Sequence, residues 1–144
     1  MTIAGLLTIA GGTYNGSTSM GTISGAFLLS SGAYNGDTST PTLSGGLTIS
    51  GGTFTASSGV TTVSGAFTHT AGGTFTHNSG TVAFTGNSAT VDVATSETFS
   101  ALTLNKTTGQ TLTIASGDTL VMVGTLTLTD GIADGNNFEA QGSV

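Results

Sequence analysis

The sequence predicts an all-β chain wound as a parallel β-helix, or β-solenoid, with about 20 residues per coil and three short parallel sheets. Three observations carry that prediction. A pattern beginning at Gly5, Gly25, Gly45 and Gly65 is written four times, as GLLTIAGGTYNGSTSMGTIS, GAFLLSSGAYNGDTSTPTLS, GGLTISGGTFTASSGVTTVS and GAFTHTAGGTFTHNSGTVAFT. The same columns are apolar in every copy: Leu7, Phe27, Leu47 and Phe67; Ile9, Leu29 and Ile49 with His69; Tyr14, Tyr34, Phe54 and Phe75; Ile23, Leu43, Val63 and Phe84. No stretch shows the 3.6-residue apolar spacing of an amphipathic helix. Residues one period apart are therefore expected to lie on top of one another, forming inward ladders.

Each copy divides into three alternating pieces separated by turn-forming residues. In the first copy the strands fall at residues 6–10, 13–15 and 21–24, with corners at Gly11-Gly12, at Asn15-Gly16-Ser17 and at Gly25. The third copy repeats this with corners at Gly51-Gly52, residues 56–59 and Gly65. Alternation over three to five residues bounded by Gly, Asn and Ser clusters is strand-and-turn chemistry. Pro41 precedes the third strand of its coil, a position where a missing N–H is tolerated. Past Gly86 the strands lengthen: residues 89–93, 99–105, 111–114, 120–123 and 125–129 are candidates, with turns at 105–109, 116–118 and Asp130-Gly131. Ile132, Phe138, Ala140 and Val144 extend the pattern into a partial coil. The whole of 1–144 reads as one solenoid domain of about six to seven coils, regular over 1–85 and wider, less regular over 86–144.

The composition follows from stacking. Charged residues are 6% of the chain against a usual quarter, and Gly, Ser and Thr replace them. Coils stack about 4.7–4.9 Å apart, so a charge repeated in a column would face its own copy at a cost of roughly 1 kcal/mol in water. Threonine and asparagine stack without that repulsion. Disorder does not fit, because the apolar residues are periodic and mean hydropathy is positive. A net charge of −6, one lysine and no arginine argue against a nucleic-acid partner and against basic contacts to anionic lipid. The same scarcity leaves trypsin-like proteases almost nothing to cut, which suits an extracellular or cell-surface location. No apolar run approaches a membrane helix, no signal segment is evident, and the absence of cysteine excludes disulfides and thiolate metal sites.

The stretches LTISGGTFTASSGVTTVSG, GTVAFTGNSATVDV and TFSALTLNKTTGQTLTIASGDTLVMVGTLTLTDG resemble the Gly/Thr/Ser-rich repeat regions of large secreted bacterial surface proteins. These are filamentous-haemagglutinin-like adhesins and autotransporter passengers. The resemblance implies a parallel β-helix in an extracellular fibre or adhesin stalk. It transfers no catalytic residue and no cofactor.

Candidate sites are sparse. His69, His77 and Asp92 are the residues that could supply a base or a metal ligand, but His69 stands in an apolar column and His77 follows a strand, at a turn. No Ser or Thr stands in a nucleophile-elbow context. The acids Asp37, Asp92, Glu97, Asp118, Asp130, Asp134 and Glu139 do not recur as pairs on one strand face, as a glycosidase would require. Asp130, Asp134 and Glu139 with Asn136 and Asn137 are the densest oxygen-ligand group, yet Ile132 breaks the EF-hand spacing. The reading is therefore a non-enzyme with no catalytic, metal or cofactor-binding residues. Asn15 and Asn105 head N-x-S/T sequons in turns.

The expected function is structural: a subunit or repeat segment of an extracellular fibre, filament or adhesin stalk. The ladder begins at Ile3 and runs on without a polar or helical cap, pointing to a longer repeat protein or to homo-oligomeric stacking end to end. Contact with a surface glycan or host surface is compatible with that role. Two alternatives are an ice-binding solenoid, using outward Thr13, Asn15, Thr53, Thr55, Thr74 and Thr76, and a phage tail-fibre or carbohydrate-binding β-helix.

Overall fold

The computed structural model describes residues 1–134 and 137–142; the sequence pattern's Val144 and the candidate ligand Asn136 lie outside them. Among the described residues every regular element is a strand, and every strand pairing is parallel. The chain winds as a β-solenoid of about seven turns.

Three faces enclose the core. On the first face the leading half of Leu7–Asn15 is followed by the leading half of Phe27–Asn35, then Leu47–Ile49, Phe67–His69, Ala89–Val93, Thr111–Ile114 and Ile132–Asp134. The second face holds the trailing halves of the two long strands, then Gly52–Thr55 and Gly73–Thr76, and beyond them Ser96–Phe99, Thr119–Met122 and Phe138–Ala140. On the third face Thr22–Ile23, Thr42–Leu43, Val60–Val63, Thr81–Gly86, Ala101–Lys106 and Leu126–Asp130 form a six-stranded sheet, which Ile3 extends through a bridge to Ile23.

The vertical register follows the period. Leu7 pairs with Phe27, Phe27 with Leu47 and Leu47 with Phe67, each 20 residues on. Later steps lengthen: Phe67 pairs with Val91, Val91 with Ile114, and Leu104 with Leu128. The added residues widen the third face, whose strands grow from two residues at Thr22–Ile23 to six at Thr81–Gly86.

Two corners differ from the sequence expectation. Residues 99–105 are not one strand, because the chain turns at Ser100 from Ser96–Phe99 on the second face to Ala101–Lys106 on the third. The other is the glycine pair of the first coil. Gly11-Gly12 does not end a strand; it bends a nine-residue strand that runs from Leu7 to Asn15, and the register slips between Ile9 and Thr13. The device is a left-handed glycine repeated once per coil, at Gly12 (φ 70°), Gly32 (φ 79°) and Gly52 (φ 72°). First- and second-face strands of the early coils consequently belong to one nine-stranded sheet, while the later second-face strands form a separate three-stranded sheet. The column at Gly25, Gly45 and Gly65 is needed for another reason: backbone meets backbone there, and a Cβ on Gly45 would lie 2.3 Å from the carbonyl carbon of Gly25.

Stacked aromatics dominate the core. Tyr14 and Tyr34 stack at 5.9 Å between ring centroids, Tyr34 and Phe54 at 4.6 Å, and Phe54 and Phe75 at 6.0 Å. Phe99 packs 5.4 Å from Phe75 and so carries the column across the break between sheets. Phe27 and Phe67, inward from the first face, meet this column edge-on. Such contacts add about 0.5–1.5 kcal/mol per pair beyond burial. The turn that follows is lined by polar groups that satisfy one another: Ser39 Oγ donates to Gly36 O at 2.6 Å, Ser57 Oγ to Ser39 O, and Gly59 N to Ser57 Oγ at 2.9 Å.

Tyr34 breaks that economy. Its hydroxyl is buried without a well-formed hydrogen bond, and burial pushes its pKa up to about 12. A buried unpartnered hydroxyl costs about 1–3 kcal/mol. Tyr34→Phe, which makes the position like Phe54 and Phe75, is therefore expected to leave stability unchanged or raise it by up to about 1 kcal/mol. Phe54→Ala is expected to cost about 3–5 kcal/mol. Urea denaturation of the two variants checks both signs.

Candidate functional site

Polar chemistry is concentrated at the inner corner between the first and second faces. His69 ends Phe67–His69 and continues the column of Ile9, Leu29 and Ile49, with Val93 above it. The pleat that points Phe99 inward also points Glu97 inward, two residues earlier in Ser96–Phe99. The two side chains meet in a hydrogen bond between His69 Nδ1 and Glu97 Oε2, and Thr98 N donates to Glu97 Oε1 at 3.3 Å. Nδ1 faces the Glu97 carboxyl, while Nε2 is buried and without a partner among the described residues. Backbone seals the ring: a Cβ on Gly73 would stand 3.3 Å from His69 Nε2. Burial pushes the Glu97 carboxyl above the usual glutamate range, and the hydrogen bond and charge of His69 pull it only part of the way back.

Asp118 occupies the same corner one coil further on. It is buried, its Oδ2 accepts from Val93 N at 2.7 Å, and Asn137 Nδ2 donates to its carbonyl at 2.6 Å. The carboxylate completes backbone hydrogen bonding where the chain turns. Asp92 points the other way: it pairs with Thr68 and is exposed, so it does not join His69. His77 stands at a separate turn and accepts from Ser79 N at 3.1 Å. The three residues that could have formed a base or metal constellation are thus apart. Among the described residues no three His, Asp or Glu side chains are placed to hold a metal, and no pocket opens onto the His69–Glu97 pair.

Lys106, the one basic side chain, points inward. Leu102 and Leu104 precede it on the same side of Ala101–Lys106, and only 2% of its surface is exposed. Its Nζ donates to Thr85 O at 2.9 Å and Asn87 O at 2.8 Å, tying two corners together. Burial without a carboxylate partner lowers its pKa. The exterior therefore carries the exposed acids Asp37, Asp92, Asp130, Asp134 and Glu139 with no lysine or arginine beside them. Asn15 and Asn105, which head the sequons, are exposed.

Between these acids the outside is hydroxyl-rich and in register. On the second face Thr13, Ala33, Thr53 and Thr74 form one column, and Asn15, Asn35, Thr55 and Thr76 a second. On the third face Thr22, Thr42, Thr62, Ala83, Thr103 and Thr127 form an unbroken outward column across six strands, interrupted chemically only by Ala83. No protein-family model, curated protein or solved structure matches the chain.

Sequence reasoning missed the partner of His69 and the burial of Lys106. Strand parity carried both signals: Glu97 is two residues from Phe99, and Lys106 two from Leu104.

Two outcomes follow from this chemistry. Glu97 holds its proton more tightly folded than unfolded, so its contribution is greatest below the ordinary value of 4.5 and is lost as pH rises through the raised folded value. The Tm of the native chain relative to Glu97→Gln is therefore expected to increase as pH falls from 7 to below that value; a decrease would show the fold favouring the carboxylate. Second, Lys106 should resist an amine-reactive reagent in the native protein and react fully in denaturant, as read by mass spectrometry of its peptide.

Proposed function

We propose that this chain is a structural segment of an extracellular fibre, filament or adhesin-type stalk, whose units continue one another end to end. The observation that carries the reading is the repeat itself: strands of one coil pair in parallel with their counterparts in the next, so like coils add along one axis. Among the described residues Leu7–Asn15, Leu126–Asp130, Ile132–Asp134 and Phe138–Ala140 each pair with a neighbouring strand on one side only. Leu128, which continues the inward third-face column from Leu104, is 60% exposed. An open strand edge flanked by apolar side chains is a template for another strand. The interior supports the same reading: a continuous ladder stiffens the long axis, while the outside is nearly free of basic groups. The style of the repeat regions in secreted bacterial surface proteins agrees with this role.

Native protein is expected to sediment as a distribution larger than one chain and to form filaments in electron micrographs. Leu128→Lys, which places a charge on the terminal rung, should shift the distribution toward monomer while leaving the circular dichroism unchanged. A native protein that remains monomeric at all accessible concentrations would overturn the proposal.

A second reading, ice binding, is favoured by the in-register hydroxyl columns. β-branched threonines are stiff at χ1, so their methyls and hydroxyls form a rigid array. Ice-growth inhibition that vanishes with Thr62→Tyr, at the middle of the third-face column, would support it over the fibre role.

A further inference from the structure

Between the second and third faces the chain turns once per coil, and in the fourth coil that turn reads His77-Asn78-Ser79-Gly80. Independently of any assembly, we infer that Asn78 is a self-modifying site. Its side-chain amide is converted to a carboxylate through a cyclic imide closed by the Ser79 backbone nitrogen, with His77 as the base.

Such a reaction needs an asparagine, a following backbone N–H that is not committed elsewhere, and a base within reach of its proton. One coil earlier the N–H is committed: Ser58, three residues past the paired Thr55 as Ser79 is past Thr76, donates to Asp37 O at 2.8 Å. Ser79 N does not reach across to the neighbouring coil; it donates to His77 Nδ1 at 3.1 Å. That separation lies within the roughly 2.6–3.2 Å at which a general base takes a proton. An imidazole nitrogen that accepts a hydrogen bond is the one with a lone pair to offer. Ser79 is exposed, and His77 and Asn78 are half-buried, so water reaches the corner.

The backbone holds this arrangement under strain. Asn78 (φ 48°) and Ser79 (φ 58°) are both left-handed, the one place among the described residues where two successive non-glycine residues are. Residues stay in that region only where their surroundings over-determine them. Here Asn78 Nδ2 donates to Ala56 O at 3.1 Å and Gly80 N donates to His77 O at 3.0 Å, which anchors the amide within the corner.

The chain and water supply every atom of the step. His77 Nδ1 takes the Ser79 N–H proton as the nitrogen bonds to Asn78 Cγ. The Cγ–Nδ2 bond breaks, the proton passes from His77 to the departing nitrogen, and ammonia leaves. Water then opens the five-membered ring at either carbonyl, giving aspartate or isoaspartate at position 78 and one further negative charge. Isoaspartate adds a backbone atom at a corner and not within a strand, so Gly73–Thr76 and Thr81–Gly86 keep their pleat.

Matched controls stand in the same chain. Asn87-Ser88 is the same dipeptide, but Ser88 N donates to Gln110 Oε1 at 3.0 Å, an amide oxygen that takes no proton. Asn15-Gly16 and Asn35-Gly36 are intrinsically more reactive, because glycine has no Cβ to hinder ring closure. Their nitrogens are committed across coils, Gly16 N to Asn35 O at 2.7 Å and Gly36 N to Thr55 O at 2.8 Å. Folding therefore inverts the order of reactivity that the dipeptides alone would set.

The test incubates native and denatured protein at mildly alkaline pH and follows each asparagine by mass spectrometry of its peptide. The readouts are the amide-to-acid mass gain and the ammonia loss of the ring intermediate. A general base in reach contributes about 10²–10⁴-fold in evolved sites, so native Asn78 is expected to convert at least about tenfold faster than Asn87. It should also outpace Asn35, whereas in denaturant Asn35 should lead and Asn78 should match Asn87. His77→Gln, which keeps an acceptor but takes no proton, should bring native Asn78 down to the Asn87 rate with circular dichroism unchanged. Native Asn78 converting no faster than Asn87 would overturn the inference, as would an unchanged Asn78 rate in folded His77→Gln. The comparison within the native chain decides should that variant lose its native circular dichroism.

Discussion

Everything in this molecule depends on one repeated contact: backbone of one coil against backbone of the next, at the spacing of paired parallel strands. Leu7 N donates to Ala26 O at 3.0 Å, Phe27 N to Gly46 O at 3.0 Å, and Leu47 N to Ala66 O at 2.9 Å. That spacing forces each side chain to touch its counterpart one turn away, so identity in a column is a packing requirement. Aromatics tolerate their own kind through offset stacking, threonines through neutral contact, and charges not at all. The glycine column and the near absence of charge are both products of that requirement.

Where the columns change, the structure has to find other solutions. His69 replaces an aliphatic residue in the fourth coil, and the change is accommodated by Glu97 reaching across from the following coil. Asp118 then supplies the acceptor that a turning backbone needs, and Lys106 does the converse, supplying donors to two carbonyls. All three sit where coils widen from 20 residues to as many as 24, between Phe67 and Val91 or Leu104 and Leu128. Ionisable groups are thus spent on fastening irregular corners, each with a hydrogen-bonding partner as burial demands.

The fold was legible because a period is a relation among many residues and survives local irregularity. Tyr14, Tyr34, Phe54 and Phe75 need only sit one step apart to declare a column, whatever the turns between them do. Corners were less legible: two adjacent glycines signal a turn, yet at Gly11-Gly12 they make a bulge within a continuous strand, because Gly12 alone takes the left-handed conformation that lets pairing resume at Thr13. The polar corner was least legible. His69 and Glu97 are 28 residues apart in sequence, a separation that matches no single period, since they belong to different faces of successive coils. Side-chain parity could place each residue inside but could not say which neighbour it would meet.

The glycine column has a consequence for how such a chain can change its length over generations. Gly25, Gly45 and their counterparts let coils touch only if the same residue type returns at the same phase. Duplicating a complete turn preserves that phase, and so does removing one. Losing a single residue inside a strand would turn the remainder of that strand inside out, whereas the extra residue before Gly73 is absorbed at a corner. Genes for molecules built this way are free to grow or shrink by unequal recombination in whole windings, and length becomes a heritable variable separate from stability per turn.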